Sequence, residues 1–370
     1  MNRKRAPRKG RVVRIVRRCA LVFVTVLALV VAAVFALCNA VFNGPSVTAR
    51  NQAVLSLYQA SATKWVPRMF LPDVTVNQII ADSETVQEEV VSLENNESLT
   101  VALTGSAVPT DEWADAKDGL QFRIIKGTTF KAYILIVKDP KRVHVGVSSE
   151  NFGNSSVGIT IFSAAQKYNF TAAINGGEFP DNGGHGNGNR PVGLTYSFGK
   201  KVWDDGLTRS FCGFDKDDRL VVSESMTRER AERLGIRDSV CFQNGNALMS
   251  SENGQMKLYR ADSNLGTAQR TAIGQRADGA VILLVTDGRS ASSLGATHND
   301  VLNIMLELGV INALKLDGGS STMMYYKDWF DKYGQDKSQL DSYQLKGLVN
   351  KYKAFTSIRT IPTFFVVSPE

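Results

Sequence analysis

The hydrophobic pattern opens with an apolar stretch, Ala20 to Phe42, interrupted only by Thr25 and Asn39. A spanning helix needs about 20 such residues, whereas the core of a secretory signal has roughly 7–15. The stretch therefore predicts a transmembrane helix, broken by Asn43-Gly44-Pro45-Ser46. From Gln52 to Phe70, Val54, Leu55, Leu57, Tyr58, Trp65 and Met69 form a partial helical stripe that Pro72 stops. Val76 to Ala81 fits one more short helical turn. Residues 82–112 are polar, rich in Glu, Ser, Asn and Thr, and have no strong period, which predicts a loosely ordered linker after a helical stalk.

Beyond Leu120 the pattern changes to strands and glycine turns. Phe130–Val137 is β-rich, Asp139-Pro140 turns the chain, and Arg142–Val147 alternates as a partner strand. A helix is expected over Ile159–Tyr168 and a buried strand over Thr171–Ile174. Val192–Phe198, Gly213-Phe214 and Leu220–Val222 look like short strands, and Ala280–Thr286 is a longer apolar one. Thr297 and Gly309 bracket a helix over His298–Leu308. Ala313–Leu316 and Thr363–Val367 complete the strands. Strands outnumber helices and no regular βαβ alternation emerges. The expected class is α+β: a mixed β-sheet core with short packed helices. The expected boundaries are a basic tail at 1–19, a transmembrane segment at 20–42, a stalk and linker at 43–115, and the main domain at 116–370.

Charge changes the picture once its location is considered. The formal net charge is +7, but nine basic residues lie within the first 18 positions. Without them, 34 of the 43 basic residues face 36 acidic ones, so nucleic acid is not an implied partner. Positive charge stays cytoplasmic, so the tail should lie inside and the rest of the chain outside. A cleaved signal peptide is the competing reading, with Cys38-Asn39-Ala40 as a poor cleavage site. Outside the membrane segment only Cys212 and Cys241 remain, and a disulfide or two buried thiols are both open. The three histidines, His144, His185 and His298, have no metal-type spacing, and no metal or cofactor is expected.

Three strand ends share one design: an apolar strand, a polar residue, then glycine. They are Asn175-Gly176-Gly177, Asp287-Gly288-Arg289 and Asp317-Gly318-Gly319-Ser320-Ser321-Thr322. Glycines there permit positive φ and close approach of a ligand to the backbone, and successive N–H groups can cradle an anion. With Arg270 and Arg289 nearby, the set suggests a phosphate-bearing ligand. Each residue also has a structural reading. Asp287 and Asp317 could cap turns, Arg289 could pair on the surface, and Asn175 could satisfy loop backbone. His298 is expected at a helix end, and His185 in a glycine-rich loop.

The segment from Arg270 to Met324, carrying RTAIG, DGR and LDGGSST in order, resembles the signature of the phosphodiester glycosidase family. Ala173–Phe179 (AINGGEF), Pro191-Val192-Gly193 and Arg359–Thr363 fall in matching order, so the resemblance covers about residues 125–368. That family includes the lysosomal uncovering enzyme and bacterial envelope proteins once described as exopolysaccharide-related. The resemblance implies hydrolysis of a sugar-1-phosphodiester to free sugar and a phosphomonoester, in envelope or exopolysaccharide glycans. By motif position and chemistry, Asp317 takes the catalytic carboxylate role and Asp287 a second-carboxylate or sugar-binding role. Arg270, Arg289 and the turn Gly318, Gly319, Ser320, Ser321 and Thr322 would hold phosphate, with Asn175 and Gly176 meeting the sugar. Glu178 is not assigned a catalytic role, because many relatives carry an aromatic or small residue there. The expected partners are a glycan or sugar-phosphodiester substrate and the bilayer. Two alternatives are a polysaccharide-binding or assembly module without catalysis, and an envelope glycan phosphotransferase.

Overall fold

The computed structural model describes residues 9–58, 63–92, 113, 115–153, 155–181, 186–262, 266–288, 290, 293–352 and 357–370. Its strands form three antiparallel sheets. The largest holds β1 (Val86–Ser92), β2 (Leu120–Lys126), β3 (Lys131–Val137), β11 (Ala247–Glu252), β12 (Gln255–Ala261), β13 (Thr271–Arg276), β14 (Val281–Thr286) and β15 (Val310–Lys315), in the order β1-β12-β11-β15-β13-β14-β3-β2. The second sheet has the order β7-β6-β10-β8-β9, with β6 (Thr195–Ser197), β7 (Lys200–Trp203), β8 (Arg209–Phe214), β9 (Leu220–Met226) and β10 (Asp238–Phe242). The third runs β16-β5-β17-β4, with β4 (Val143–Val147), β5 (Ala172–Asn175), β16 (Met324–Tyr326) and β17 (Thr363–Val367).

At β3 and β14 both faces of the large sheet are covered, which is why these strands read as unbroken apolar runs rather than as alternating ones. Tyr133, Leu135 and Val137 point with Leu283 and Val285 toward the two smaller sheets, where Val145, Ile174, Phe214 and Phe365 meet them. Ile134, Ile136, Ile282 and Leu284 point the other way, onto Val301, Leu302 and Met305 of a helix. That helix, His298–Glu307, begins with Thr297 accepting from the Asp300 N–H while the Asp300 carboxylate accepts from the Thr297 N–H. This reciprocal cap fixes its start. Cys212 and Cys241 are buried free thiols, and burial pushes Cys241 up to about 12.

The N-terminal part differs from the sequence expectation in two ways. Helix α1 (Lys9–Phe42) is followed by α2 (Val47–Tyr58) and α3 (Asp73–Glu84), with a short 3₁₀ turn at Pro67–Met69 where a longer helix was expected. Pro67 at the start of that turn explains why the stripe does not continue as one helix. Residues 86–92, expected as linker, form β1, which pairs with β12 along seven residues. Both faces of this edge strand are largely exposed, so it carries no apolar alternation to read. Residues 93–112 of the expected linker lie outside the described residues. Val13–Phe42 is long and apolar enough to cross a membrane, and none of its most apolar stretch is buried in the protein.

Candidate active site

Asp317 follows β15, and everything around its backbone is braced. The Asn175 amide, at the tip of β5, donates to the Asp317 carbonyl at 2.6 Å. The other end of that side chain accepts from the Thr271 hydroxyl on β13 at 2.8 Å and from the Met323 N–H at 3.2 Å. Asn175 is 1% exposed, so one amide ties three strand segments together beneath the Asp317 carboxyl. That carboxyl accepts from the Ser321 hydroxyl and the Gly318 N–H. Burial raises its pKa from 3.8 to about 7 against those two bonds, and the charge of Glu178 adds to the rise. A carboxylate that changes state near neutrality is suited to proton transfer.

Glu178 reaches Asp317 from the Gly176-Gly177 turn after β5. Its two oxygens accept from the Gln243 backbone N–H at 2.7 Å and side-chain amide at 3.0 Å, which fixes the carboxylate. Both acids line a cavity of about 740 Å³ that Arg270, Arg359, Lys315 and His298 also line. Arg270 holds its guanidinium on the Gly266 carbonyl at 2.6 Å and the Ala296 carbonyl at 3.1 Å. Arg359 donates to the Ser320 hydroxyl at 2.9 Å, pairs with Asp181, and stacks over Phe179 at 4.9 Å. The Tyr352 hydroxyl donates to the Ser320 carbonyl at 2.7 Å and clamps the same turn. His298 contacts the Tyr259 carbonyl through Nε2 at 2.6 Å. Burial lowers its pKa to about 3, so at neutral pH it is an uncharged donor.

Several expected ligand contacts are engaged inside the protein. The N–H of Gly319 donates to the Gln269 carbonyl, and those of Ser321 and Thr322 donate back into the turn. The Gly318–Thr322 turn therefore uses these N–H groups to hold its own shape beside Asp317. Gly176 likewise donates to the Thr363 carbonyl at 2.9 Å. Asn175, expected to meet a sugar hydroxyl, has the bracing position described above. Asp287 does not line the cavity: its carboxyl accepts from the Tyr133 hydroxyl at 2.9 Å and the Lys351 N–H at 3.3 Å. Burial raises its pKa. Arg289 and His185 lie outside the described residues. Glu178 and Arg359 were quoted in the motifs without a role. Their position between a strand tip and the turn Asp317–Thr322 comes from the pairing of β5 with β17 and β16, which local sequence does not display.

The site joins a carboxylate titrating near neutrality, a second carboxylate and two anchored guanidiniums at the ends of antiparallel strands. A family model described as phosphodiester glycosidase matches residues 168–368, more than half of the chain, and the chain belongs to that family. Among curated proteins, the SPbeta prophage-derived uncharacterized protein YomE of Bacillus subtilis (strain 168) is 34% identical over 123 residues. The match covers 32% of this chain and only 17% of that protein's length. Among solved structures, the catalytic domain of zebrafish N-acetylglucosamine-1-phosphodiester alpha-N-acetylglucosaminidase, auto-inhibited by its pro-peptide, aligns with a TM-score of 0.49 at 16% identity. That alignment covers 77% of this chain and 89% of the zebrafish one.

Proposed function

We propose that the chain hydrolyses sugar-1-phosphodiester linkages in envelope or exopolysaccharide glycans, from a site held outside the cytoplasm by an uncleaved α1. The observation that carries the reading is the pairing of Asp317, with its pKa near 7, and Glu178 in one cavity flanked by Arg270 and Arg359. In this reading ionised Asp317 takes a proton from the attacking water. Glu178 stabilises the cationic character that develops at the anomeric carbon. The leaving group is already an anion of low basicity, so protonating it is less important than in ordinary glycoside cleavage. Arg270 and Arg359 face its growing charge with guanidiniums fixed in advance, which limits reorganisation during the reaction. Asn175 acts through the Asp317 backbone, and Asp287 orders Tyr133 and the chain near Lys351.

Retention of α1 is supported by its packing. Phe35 packs on Phe70 at 5.2 Å and Cys38 packs against the cluster of Val54, Leu55 and Ile79, so cleavage after Ala40 would remove part of a folded cluster. The basic tail supports a cytoplasmic N-terminus.

Steady-state kinetics on sugar-1-phosphodiesters test the assignment. Asp317→Asn should lower turnover by about two to four orders of magnitude while substrate affinity holds. Arg270→Ala should weaken both, because the phosphate is charged before and after reaction. A folded Asp317→Asn variant retaining more than about a tenth of wild-type turnover would remove Asp317 from the mechanism.

A further inference from the structure

Resting on that reading, we infer that the cavity takes its substrate from the membrane surface, and that the preferred aglycone is a long-chain lipid alcohol. The cavity has two unlike walls. Glu178, Asp317, Arg270 and Arg359 form the polar one. Leu55, Tyr58, Ile80 and Val86 form the apolar one, interrupted by Lys64 and Ser83, and all six come from the segment that follows α1. Leu55 and Ile80 also belong to the buried cluster in which Phe42, the end of α1, is packed. The apolar wall is thus continuous with the foot of the spanning helix.

The level of the segment after α1 relative to the bilayer follows from one aromatic cluster. The Phe70 ring lies 5.1 Å from that of Phe42 and 5.2 Å from that of Phe35. Those two positions are separated by about 10 Å along the helix axis, and Phe35 lies well inside the apolar run. The chain around Phe70 therefore runs beside the last two turns of α1, at the level of the membrane interface. Trp65 and Met69, next to Lys64 and Arg68, are 59% and 61% exposed there. Aromatic and basic residues together suit that interface. The mount is firm. The Gln52 amide donates to the Thr267 hydroxyl at 3.0 Å, its carbonyl accepts from the Gly266 N–H at 3.0 Å, and β1 joins the large sheet. A freely soluble substrate needs no such arrangement. A lipid-linked sugar phosphate carries its phosphate at headgroup level and its chain on the apolar side.

In the reaction the water oxygen bonds to the anomeric carbon, and the bond from that carbon to the phosphate oxygen breaks, leaving its electron pair on oxygen. The water proton passes through Asp317 to solvent. Free sugar leaves, and the lipid monophosphate stays in the bilayer.

The test uses the full chain in phosphatidylcholine vesicles, with a panel of hexose and N-acetylhexosamine 1-phosphates. Each is presented as its methyl ester in solution and as a prenyl ester of 20 or more carbons in the same vesicles. The expected kcat/KM for the prenyl ester is at least about tenfold higher for the sugar that is cleaved. Co-localisation alone could raise that ratio, so the half-buried Tyr58 and exposed Val86 supply the control. Tyr58→Ser and Val86→Ser should each lower the prenyl-to-methyl ratio about fivefold, with circular dichroism unchanged. A ratio near one, or a high ratio that neither variant moves, overturns the lipid assignment and leaves the hydrolase reading standing. Failure to cleave any ester of either kind overturns the hydrolase reading, and this inference with it.

Discussion

Asp317 sits where burial and the Glu178 charge oppose two hydrogen bonds, and its pH behaviour can be derived from that balance. As a base it works when ionised, so kcat/KM should rise with pH around a midpoint near 7. Glu178→Gln removes a neighbouring negative charge, which should move that midpoint to lower pH. An acidic limb that stays in place in this variant would contradict the pairing. Stability carries the opposite sign from that of an ordinary ion-paired aspartate. The folded pKa, about 7, lies above the unfolded 3.8, so the native state holds the proton more tightly. The stabilisation from protonation is complete below about pH 3.8 and is lost as pH rises through 7. Asp317→Asn, which resembles the protonated side chain, should raise the melting temperature at pH 8 and change it little at pH 4. Calorimetry at the two pH values checks this. A site kept reactive at the expense of stability is a common trade. Asp317 was legible because an apolar strand ran straight into it. Glu178 and Arg359 were not, because only the pairing of strands far apart in sequence brings them to the same cavity.

At the scale of elements, the glycines of the Asn175-Gly176-Gly177 turn have a different purpose from the one their motif suggests. A Cβ on Gly176 would stand 2.5 Å from the Thr363 hydroxyl oxygen, and one on Gly177 would stand 2.7 Å from the Val240 Cβ. Gly176 lets the end of β5 lie close to its neighbour β17, and Gly177 lets that sheet approach β10 of the second one. Gly177→Ala should therefore cost about 1–3 kcal/mol of stability through overpacking. The readout is a lower midpoint in denaturant; a variant of unchanged stability with a raised KM would restore the ligand-contact view. The β3, β14 and β15 runs and the 298–307 helix could be read because burial on both faces, or a cap, left a local mark. The β10–β12 region could not, since its pattern depends on neighbours such as β8 and β15. The same holds for β1. A chain beginning at residue 116 would leave the β12 edge unpaired and remove one cavity wall. Compared with a chain beginning at residue 45, it should melt lower and aggregate more readily, which light scattering during a thermal ramp would show. Equal behaviour of the two would mean that β1 is dispensable.

At the scale of the whole molecule, the basic tail, the apolar α1 and the near-neutral remainder support the proposal of a protein held at a membrane with its main domain outside. A reporter fused after Glu370 should be active only outside the cytoplasm. Cytoplasmic activity would reverse the orientation. The central claim is chemical: water attacks the sugar carbon and not phosphorus. Hydrolysis of a cleavable sugar-1-phosphodiester in ¹⁸O-labelled water, followed by mass spectrometry of both products and by ³¹P NMR, tests it directly. The label should enter the anomeric hydroxyl of the released sugar and be absent from the phosphomonoester, with product formation slowed by about two to four orders of magnitude in Asp317→Asn. Label in the phosphate would make the site a phosphodiesterase that breaks the P–O bond, and would contradict the account.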